Sequence, residues 1–345
     1  MNDPIRVCLV GAGRAGMVHA QNFRWRVPHA RLVAVVDANL ERARQAAAEL
    51  ELGPAGFATL EQALDAGHFE AVVIVTPPFS HAELSVAAAQ AGKHVLCEKP
   101  MALTLAECDR VLAAVSAAGV IFQMAFMRRF DPPFVAAKQQ IDEGLIGRPL
   151  VVRSLTRGPG PLPAWVHDMR QSNGVLGELA SHDFDAIRWL TGGNYRRVFA
   201  QAGAFKTPQV RTEYPDFYDT AIVSLELDND SFGTVEAVCP ADFGYDARAE
   251  VIGSKGVLMI GELRETAVTR VTRQEGLRAP HFLFWPARFE KAYLNEDAHF
   301  IECIRHQQQP AVTGLDGRLA VEVVLAANHS ISTGQPVTLP FKTKG

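Results

Sequence analysis

Residues 6–16 read Arg-Val-Cys-Leu-Val-Gly-Ala-Gly-Arg-Ala-Gly, a short apolar run that passes directly into Gly11-x-Gly13-x-x-Gly16. A second apolar run, Leu32–Val36, closes on Asp37. Strand, glycine turn and helix follow in order, and an acid ends the next strand about 20 residues on, which is the context a dinucleotide fingerprint requires. Gly11 permits the tight turn, Gly13 lets backbone approach a pyrophosphate, and Gly16 lets the helix pack on its strand. The helix start at Arg14 and Ala15 offers backbone amides and the positive end of a dipole. A carboxylate at Asp37 accepts hydrogen bonds from the adenosine ribose and repels a 2′-phosphate, so the expected cofactor is NAD rather than NADP. Ala38 and Asn39 supply no cation to reverse that preference, although Arg42 and Arg44 follow on the next helix.

At 345 residues the chain exceeds one ordinary core and predicts two domains. Hydrophobic residues make up 48%, charged residues 21%, and the net charge is −4, with arginines scattered and not striped. That balance argues against nucleic-acid or membrane partners. No apolar run approaches a membrane span, and the polar start Met1-Asn2-Asp3-Pro4 is not a signal peptide. Cys8, Cys97, Cys108, Cys239 and Cys303 show no CxxC spacing. They read as reduced thiols of a cytoplasmic protein, with no disulfide framework and no metal site expected.

Outward from the fingerprint, strands and helices alternate to about residue 123. Ala71–Val75, His94–Cys97 and Val120–Gln123 read as further strands, and Ser80–Ala91 and Leu105–Ala117 as helices, with Ser80 and Thr104 as N-caps. The expected fold class is α/β: an N-terminal Rossmann, doubly wound parallel sheet over residues 1–123. Over 124–345 the pattern changes to a helix followed by extended runs at 150–155, 198–205, 220–227, 233–238, 247–252, 257–260 and 266–271. These predict a C-terminal α+β domain with an open, mostly antiparallel sheet for substrate binding and oligomerisation. Two closing helices, at 293–307 and 316–333, are expected to pack back on the first domain.

Three segments carry chemistry. Thr76-Pro77-Pro78-Phe79-Ser80-His81 leaves a buried strand at the carboxyl edge, where open α/β sheets bind ligands. This places Thr76 and Pro77 against the cofactor and His81 on the first helical turn, with His81, Glu98 and Lys99 expected among the cofactor-binding residues. Cys97-Glu98-Lys99-Pro100 ends the next strand, with Pro100 restricting the residue before it, so Lys99 is held stiffly at the same edge beside Glu98. The third segment, 173–190, reads as one helix on which Glu178, His182, Asp185 and Trp189 share a stripe. An imidazole with acids one turn to either side, on an otherwise apolar helix, points to a base oriented by a carboxylate.

GAGRAG, TPP, CEKP, Arg128-Arg129-Phe130-Asp131, and an acid four residues before His182-Asp-Phe-Asp185 together resemble the glucose–fructose oxidoreductase and inositol dehydrogenase family. The likeness runs through Ile141–Gly147, Phe243–Gly256 and Val312–Gly317, and is strongest to the inositol dehydrogenases. The resemblance implies oxidation of a secondary hydroxyl on a cyclic polyol or sugar, with hydride transfer to nicotinamide, in a homodimer or homotetramer. It implies that Lys99 and His182 are catalytic, assisted by Glu178, and that Asp185 binds substrate; Arg157 and Tyr245 are further candidate substrate contacts. The chain departs from the family in three places. Glu178 stands where aspartate is usual, Asn173-Gly174 replaces a glycine pair, and Thr156-Arg157-Gly158 replaces His-Arg-Asn. Competing readings are a keto-sugar reductase, a sugar–sugar oxidoreductase with a tightly held cofactor, and a non-catalytic NAD- or sugar-binding regulator.

Overall fold

A computed structural model describes residues 3–341. Met1–Phe130 with Lys291–Val321 form one compact unit, and Asp131–Glu290 with Glu322–Gly345 form the other.

The first unit begins with β1 (Ile5–Val10), α1 (Arg14–Gln21), β2 (Ala30–Val36), α2 (Leu40–Glu49), β3 (Gly56–Phe57), α3 (Leu60–Ala66) and β4 (Ala71–Ile74). It continues with α4 (His81–Gln90), β5 (His94–Glu98), α5 (Leu105–Ala118) and β6 (Phe122–Ala125). All six strands run parallel in the order β3-β2-β1-β4-β5-β6. The chain winds outward from β1 to β3, then returns to set β4 against the other side of β1. Strand order therefore reverses between the carboxyl ends of β1 and β4, and ligands of such sheets bind at that reversal. Val72, Val73 and Ile74 are wholly buried, which is why β4 reads as an unbroken apolar run.

Thr104 caps α5 in a reciprocal box with Glu107. Ser80 does not cap α4; its hydroxyl donates to the Pro77 carbonyl at 2.9 Å and meets the Thr76 hydroxyl at 2.7 Å. Helix α3, capped by Thr59, is absent from the sequence reading because two turns carry little periodicity. The sequence boundary at 123 also falls short. The Asn295 side chain donates to the Phe130 carbonyl, Gln123 to the Glu296 carbonyl, and Arg129 pairs with Asp316 at 3.0 Å. These bonds tie residues 124–130 and 291–321 into the first unit.

The second unit contains α6 (Pro132–Asp142), β7 (Pro149–Arg157), α7 (Ala164–His167), α8 (Met169–Ser172), α9 (Gly174–Glu178) and α10 (Ser181–Thr191). Strands β8 (Tyr195–Gly203), β9 (Thr220–Leu227), β10 (Phe232–Val238), β11 (Asp246–Gly253) and β12 (Val257–Ile260) follow. A hairpin of β13 (Arg270–Thr272) and β14 (Gly276–Arg278) precedes the tail strand β15 (Val337–Thr338). The seven-stranded sheet runs β12-β11-β7-β10-β9-β8-β15, antiparallel except for the β7–β10 pair. Ala221, Val223, Leu225 and Leu227 alternate inward from β9 onto Leu176, Phe184 and Ile187, whereas Ile222, Phe232 and Met259 stay exposed. The expected strand at 266–271 shrinks to Arg270–Thr272 of the two-stranded hairpin, where Val271 is exposed, as is Val268 just before it.

Asp219 closes the loop after β8. Its carboxylate accepts from the amides of Phe205, Lys206 and Thr207 at 2.9, 2.8 and 2.7 Å, and from the Thr220 hydroxyl at 3.0 Å. Burial pushes its pKa up, but these hydrogen bonds outweigh burial and hold it below the usual value. Its folded pKa lies under its unfolded one. Its contribution is therefore complete above about pH 4, the ordinary carboxylate value, and disappears as pH falls through the lower folded value. Asp219→Asn is expected to melt lower than the parent near neutrality and to lose less of its Tm on acidification. Parallel Tm-versus-pH slopes for the two proteins would contradict this assignment.

Candidate active site

The glycine turn owes its shape to close contacts. Gly11 has φ +105°, its amide donates to the Val36 carbonyl at 2.7 Å, and a Cβ there would lie 2.4 Å from the Val75 carbonyl oxygen. A Cβ on Gly16 would stand 1.8 Å from the Gly11 carbonyl oxygen. Gly13 differs: nothing in the chain lies within 4 Å of the position its Cβ would take. Packing demands the first and third glycines, whereas the second leaves open space at an exposed helix start beside Arg14 and Ala15. That is the space a pyrophosphate requires. Asp37 sits at the end of β2 with Oδ2 accepting from the Ala12 amide at 3.0 Å and Oδ1 from the Asn39 amide at 2.9 Å. Arg42 approaches it at 3.5 Å, so that guanidinium is drawn to the carboxylate and is not presented alone to a 2′-phosphate. These residues fit NAD.

The two loops at the carboxyl edge are fastened from behind. His81 is buried, with Nδ1 2.7 Å from the Pro100 carbonyl oxygen and Nε2 2.7 Å from that of Thr76. Burial pushes its pKa down. The neutral ring has one N–H, so it donates to one of these two carbonyls at a time while packed between the Thr76-Pro77 and Lys99-Pro100 loops. Glu98 is also buried: Oε2 accepts from the Lys99 amide at 2.9 Å and Oε1 meets His19 Nε2 at 3.3 Å. Both side chains, expected among the cofactor-binding residues, are held by protein partners. Lys99 itself is half-buried, and Thr76 and Pro77 are at least partly open.

The segment 173–190 is not one helix. α9 ends at Glu178 and α10 begins at Ser181, with Leu179 and Ala180 between them. At the break the Ser181 hydroxyl donates back to the Gly177 carbonyl at 2.6 Å, and the Ala180 amide reaches back to the Val175 carbonyl at 3.4 Å. Glu178 therefore closes one helix while His182 lies in the first turn of the next, and the four-residue stripe is broken. His182 and Asp185 are buried on α10. Glu178 lies near the Cys239 thiol, which burial and that charge push up to about 12.

The carboxylate that anchors α10 is Asp183, wholly buried, which accepts from the Ser154 hydroxyl at 2.5 Å and the Thr156 hydroxyl at 2.6 Å. Thr156, one of the departures from the family pattern, is thus committed to holding the helix that carries His182. Strand alternation turns Arg157 to the opposite face. There it pairs with Glu236 at 2.7 Å and Asp246 at 3.2 Å, on the face away from the hydroxyls that hold α10. Tyr245 is buried edge-on to Phe289, with ring centroids 6.1 Å apart.

Residues 5–126 match the oxidoreductase family's NAD-binding Rossmann fold, and residues 138–339 match that family's C-terminal alpha/beta domain. The chain belongs to the glucose–fructose oxidoreductase and inositol dehydrogenase family. This family member is 37% identical over 342 residues to scyllo-inositol 2-dehydrogenase (NAD(+)) of Bacillus subtilis, covering 99% of this chain and 98% of the relative. Identity to myo-inositol 2-dehydrogenase of Thermotoga maritima is 33% over 336 residues, covering 97% and 98%. The crystal structure of scyllo-inositol dehydrogenase from Lactobacillus casei with bound NAD(H) and scyllo-inositol matches with a TM-score of 0.91 at 28% identity, covering 97% of this chain and 99% of that one. The family member is an NAD-dependent oxidoreductase.

Sequence reading missed His19, Asp297 and Asp183. His19 left a usable signal, an imidazole one turn beyond Gly16 on the packed face of a short helix. Asp297 left another, an acid within the apolar stripe of Tyr293, Phe300, Ile301 and Ile304. Among the described residues no group of His, Cys, Asp and Glu could hold a metal ion, and no helix is long and apolar enough to cross a membrane.

The contrast between the glycines is measurable. Gly16→Ala forces a backbone clash and is expected to cost about 1–3 kcal/mol of stability. Gly13→Ala is expected to change stability by less than about 1 kcal/mol, the scale of a helix-cap substitution, yet to weaken NAD binding. Thermal melts paired with NADH fluorescence titrations separate the two effects. Equal NAD affinity in Gly13→Ala and the parent would remove Gly13 from the pyrophosphate site.

Proposed function

We propose that the family member oxidises a secondary hydroxyl of an inositol-like cyclic polyol, with Lys99, Glu178 and His182 as its catalytic set. The observation that carries the reading is His182: a buried imidazole in the first turn of α10, just past the helix that ends in Glu178, on a helix anchored by Asp183. The full-length similarity to inositol dehydrogenases of two organisms supports the substrate class. Gly11, Gly13, Arg14, Ala15, Gly16 and Asp37 would hold NAD, with Thr76 and Pro77 beside it. When bound, NAD⁺ supplies a hydride acceptor at the nicotinamide ring. His182 takes the hydroxyl proton as general base, and Glu178 stabilises the imidazolium that results. Lys99 donates a hydrogen bond to the reacting oxygen, stabilising negative charge as the C–H bond breaks and the C=O bond forms. Asp185 binds a neighbouring substrate hydroxyl.

We also infer a cytoplasmic homodimer or homotetramer. Five buried free cysteines suit a reducing compartment, and the uncovered sheet face bearing Ile222, Phe232 and Met259 suits a second copy.

The test is reduction of NAD⁺ and NADP⁺ against a panel of inositol isomers and aldoses. NAD⁺ reduction by at least one inositol isomer is expected, and His182→Ala is expected to lower kcat by about 10²–10⁴-fold while NAD affinity holds. Unchanged turnover in His182→Ala removes the residue from the mechanism. NAD binding without turnover on any polyol would favour a regulator on the same fold.

A further inference from the structure

We infer that His19, as an imidazolium bridging Asp297 and Glu98, is a positioning residue that fixes the main chain of Lys99, an inference that rests on Lys99 acting in the reaction proposed above. His19 lies on α1 and is wholly buried. Its Nδ1 is 2.7 Å from Asp297 Oδ1, and its Nε2 is 3.3 Å from Glu98 Oε1. Burial pushes the Asp297 carboxyl up, while, against burial, the contacts with His19 and Lys99 hold Glu98 down; where both are ionised they only accept, and the imidazole between them carries both N–H protons. Burial acting alone would push His19 down; the charges and hydrogen bonds of Asp297 and Glu98 carry its pKa well above the ordinary imidazole value. Tyr293 packs edge-on against the ring at 5.3 Å.

Both carboxylates are used at their far oxygens as well. Asp297 Oδ2 accepts from the Asn22 side chain at 2.8 Å, and Glu98 Oε2 accepts from the Lys99 amide at 2.9 Å. Asn22, Asp297, His19, Glu98 and the Lys99 amide thus form one unbroken line of hydrogen bonds. It begins in the π-helical segment Asn22–Arg26 that continues α1, passes through the helix Trp285–His306, and ends on the residue after β5. Burying three ionisable groups is a poor way to gain stability, because desolvation offsets much of their attraction and apolar packing would serve at least as well. What the line achieves is direction. Lys99 follows the last residue of β5, where strand pairing no longer holds the backbone, and the Glu98 carboxylate takes over its N–H. Because His19 shares α1 with the glycine cradle, the helix that would meet the pyrophosphate and the backbone that carries the lysine are fixed to each other.

The test uses full-length His19→Gln, Glu98→Gln and Glu98→Ala. Each is assayed for melting temperature, NADH binding, kcat on the best polyol, and the rate of Lys99 reductive methylation without substrate, read by mass spectrometry. Glu98→Gln keeps an oxygen for the Lys99 amide and a near-identical shape, so it carries the test should His19→Gln not fold. The expected result is retained NADH affinity, a kcat lowered by about 10²-fold in His19→Gln, the scale of an ångström-sized misplacement, and altered Lys99 methylation. Glu98→Gln is expected to fall between the parent and Glu98→Ala. A purely stabilising role would lower Tm and leave kcat and Lys99 methylation of the folded protein unchanged, and that result overturns the inference. If the parent turns over no polyol, the reaction reading fails by itself. Methylation still decides the relay, altered rates upholding it and rates equal to the parent's overturning it.

Discussion

The nucleotide-binding unit is organised around one tight spot, where the Gly11 backbone is held between the ends of β2 and β4. Its amide binds the Val36 carbonyl, and the Val75 carbonyl oxygen occupies the volume where a side chain would start. The helix behind it comes so close that Gly16 has no room for a methyl group against the Gly11 carbonyl. From this crowding follow the direction of α1, the exposure of its first amides, and the nearness of Asp37 to the Ala12 amide. Crowding behind the turn and openness in front of it are two sides of the same backbone path.

Much of this half was legible in the sequence because its determinants are local. A glycine turn, an apolar run and a terminal acid each declare themselves within a few residues, and β4 betrays its burial on both faces by composition alone. The first strand, the fingerprint and the Thr104 cap needed no tertiary information. Asp297 did: its partners His19 and Asn22 lie far away in the chain, and nothing in a one-dimensional pattern joins them.

The second half shows a different limit. Periodicity suggests a single helix from 173 to 190, yet the helix is interrupted at Leu179 and Ala180, where the Ser181 hydroxyl bonds back to the Gly177 carbonyl. A polar side chain bonding to its own backbone leaves almost no trace in hydrophobic spacing. The same applies to Asp183, which reads as one more acid in a row until Ser154 and Thr156 are found opposite it. Residue spacing and family resemblance both singled out His182; three-dimensional contacts revealed what steadies its helix and why Arg157 faces away from it.

Those two hydroxyls have an effect beyond steadying α10. β7 offers Ser154 and Thr156 on one side and Leu155 and Arg157 on the other, and its neighbours on both edges must match that alternation. Sliding the strand by a single position would bring an apolar side chain and a guanidinium under Asp183 and turn both hydroxyls outward. The buried carboxylate therefore acts as a key that admits only one alignment of the central strand.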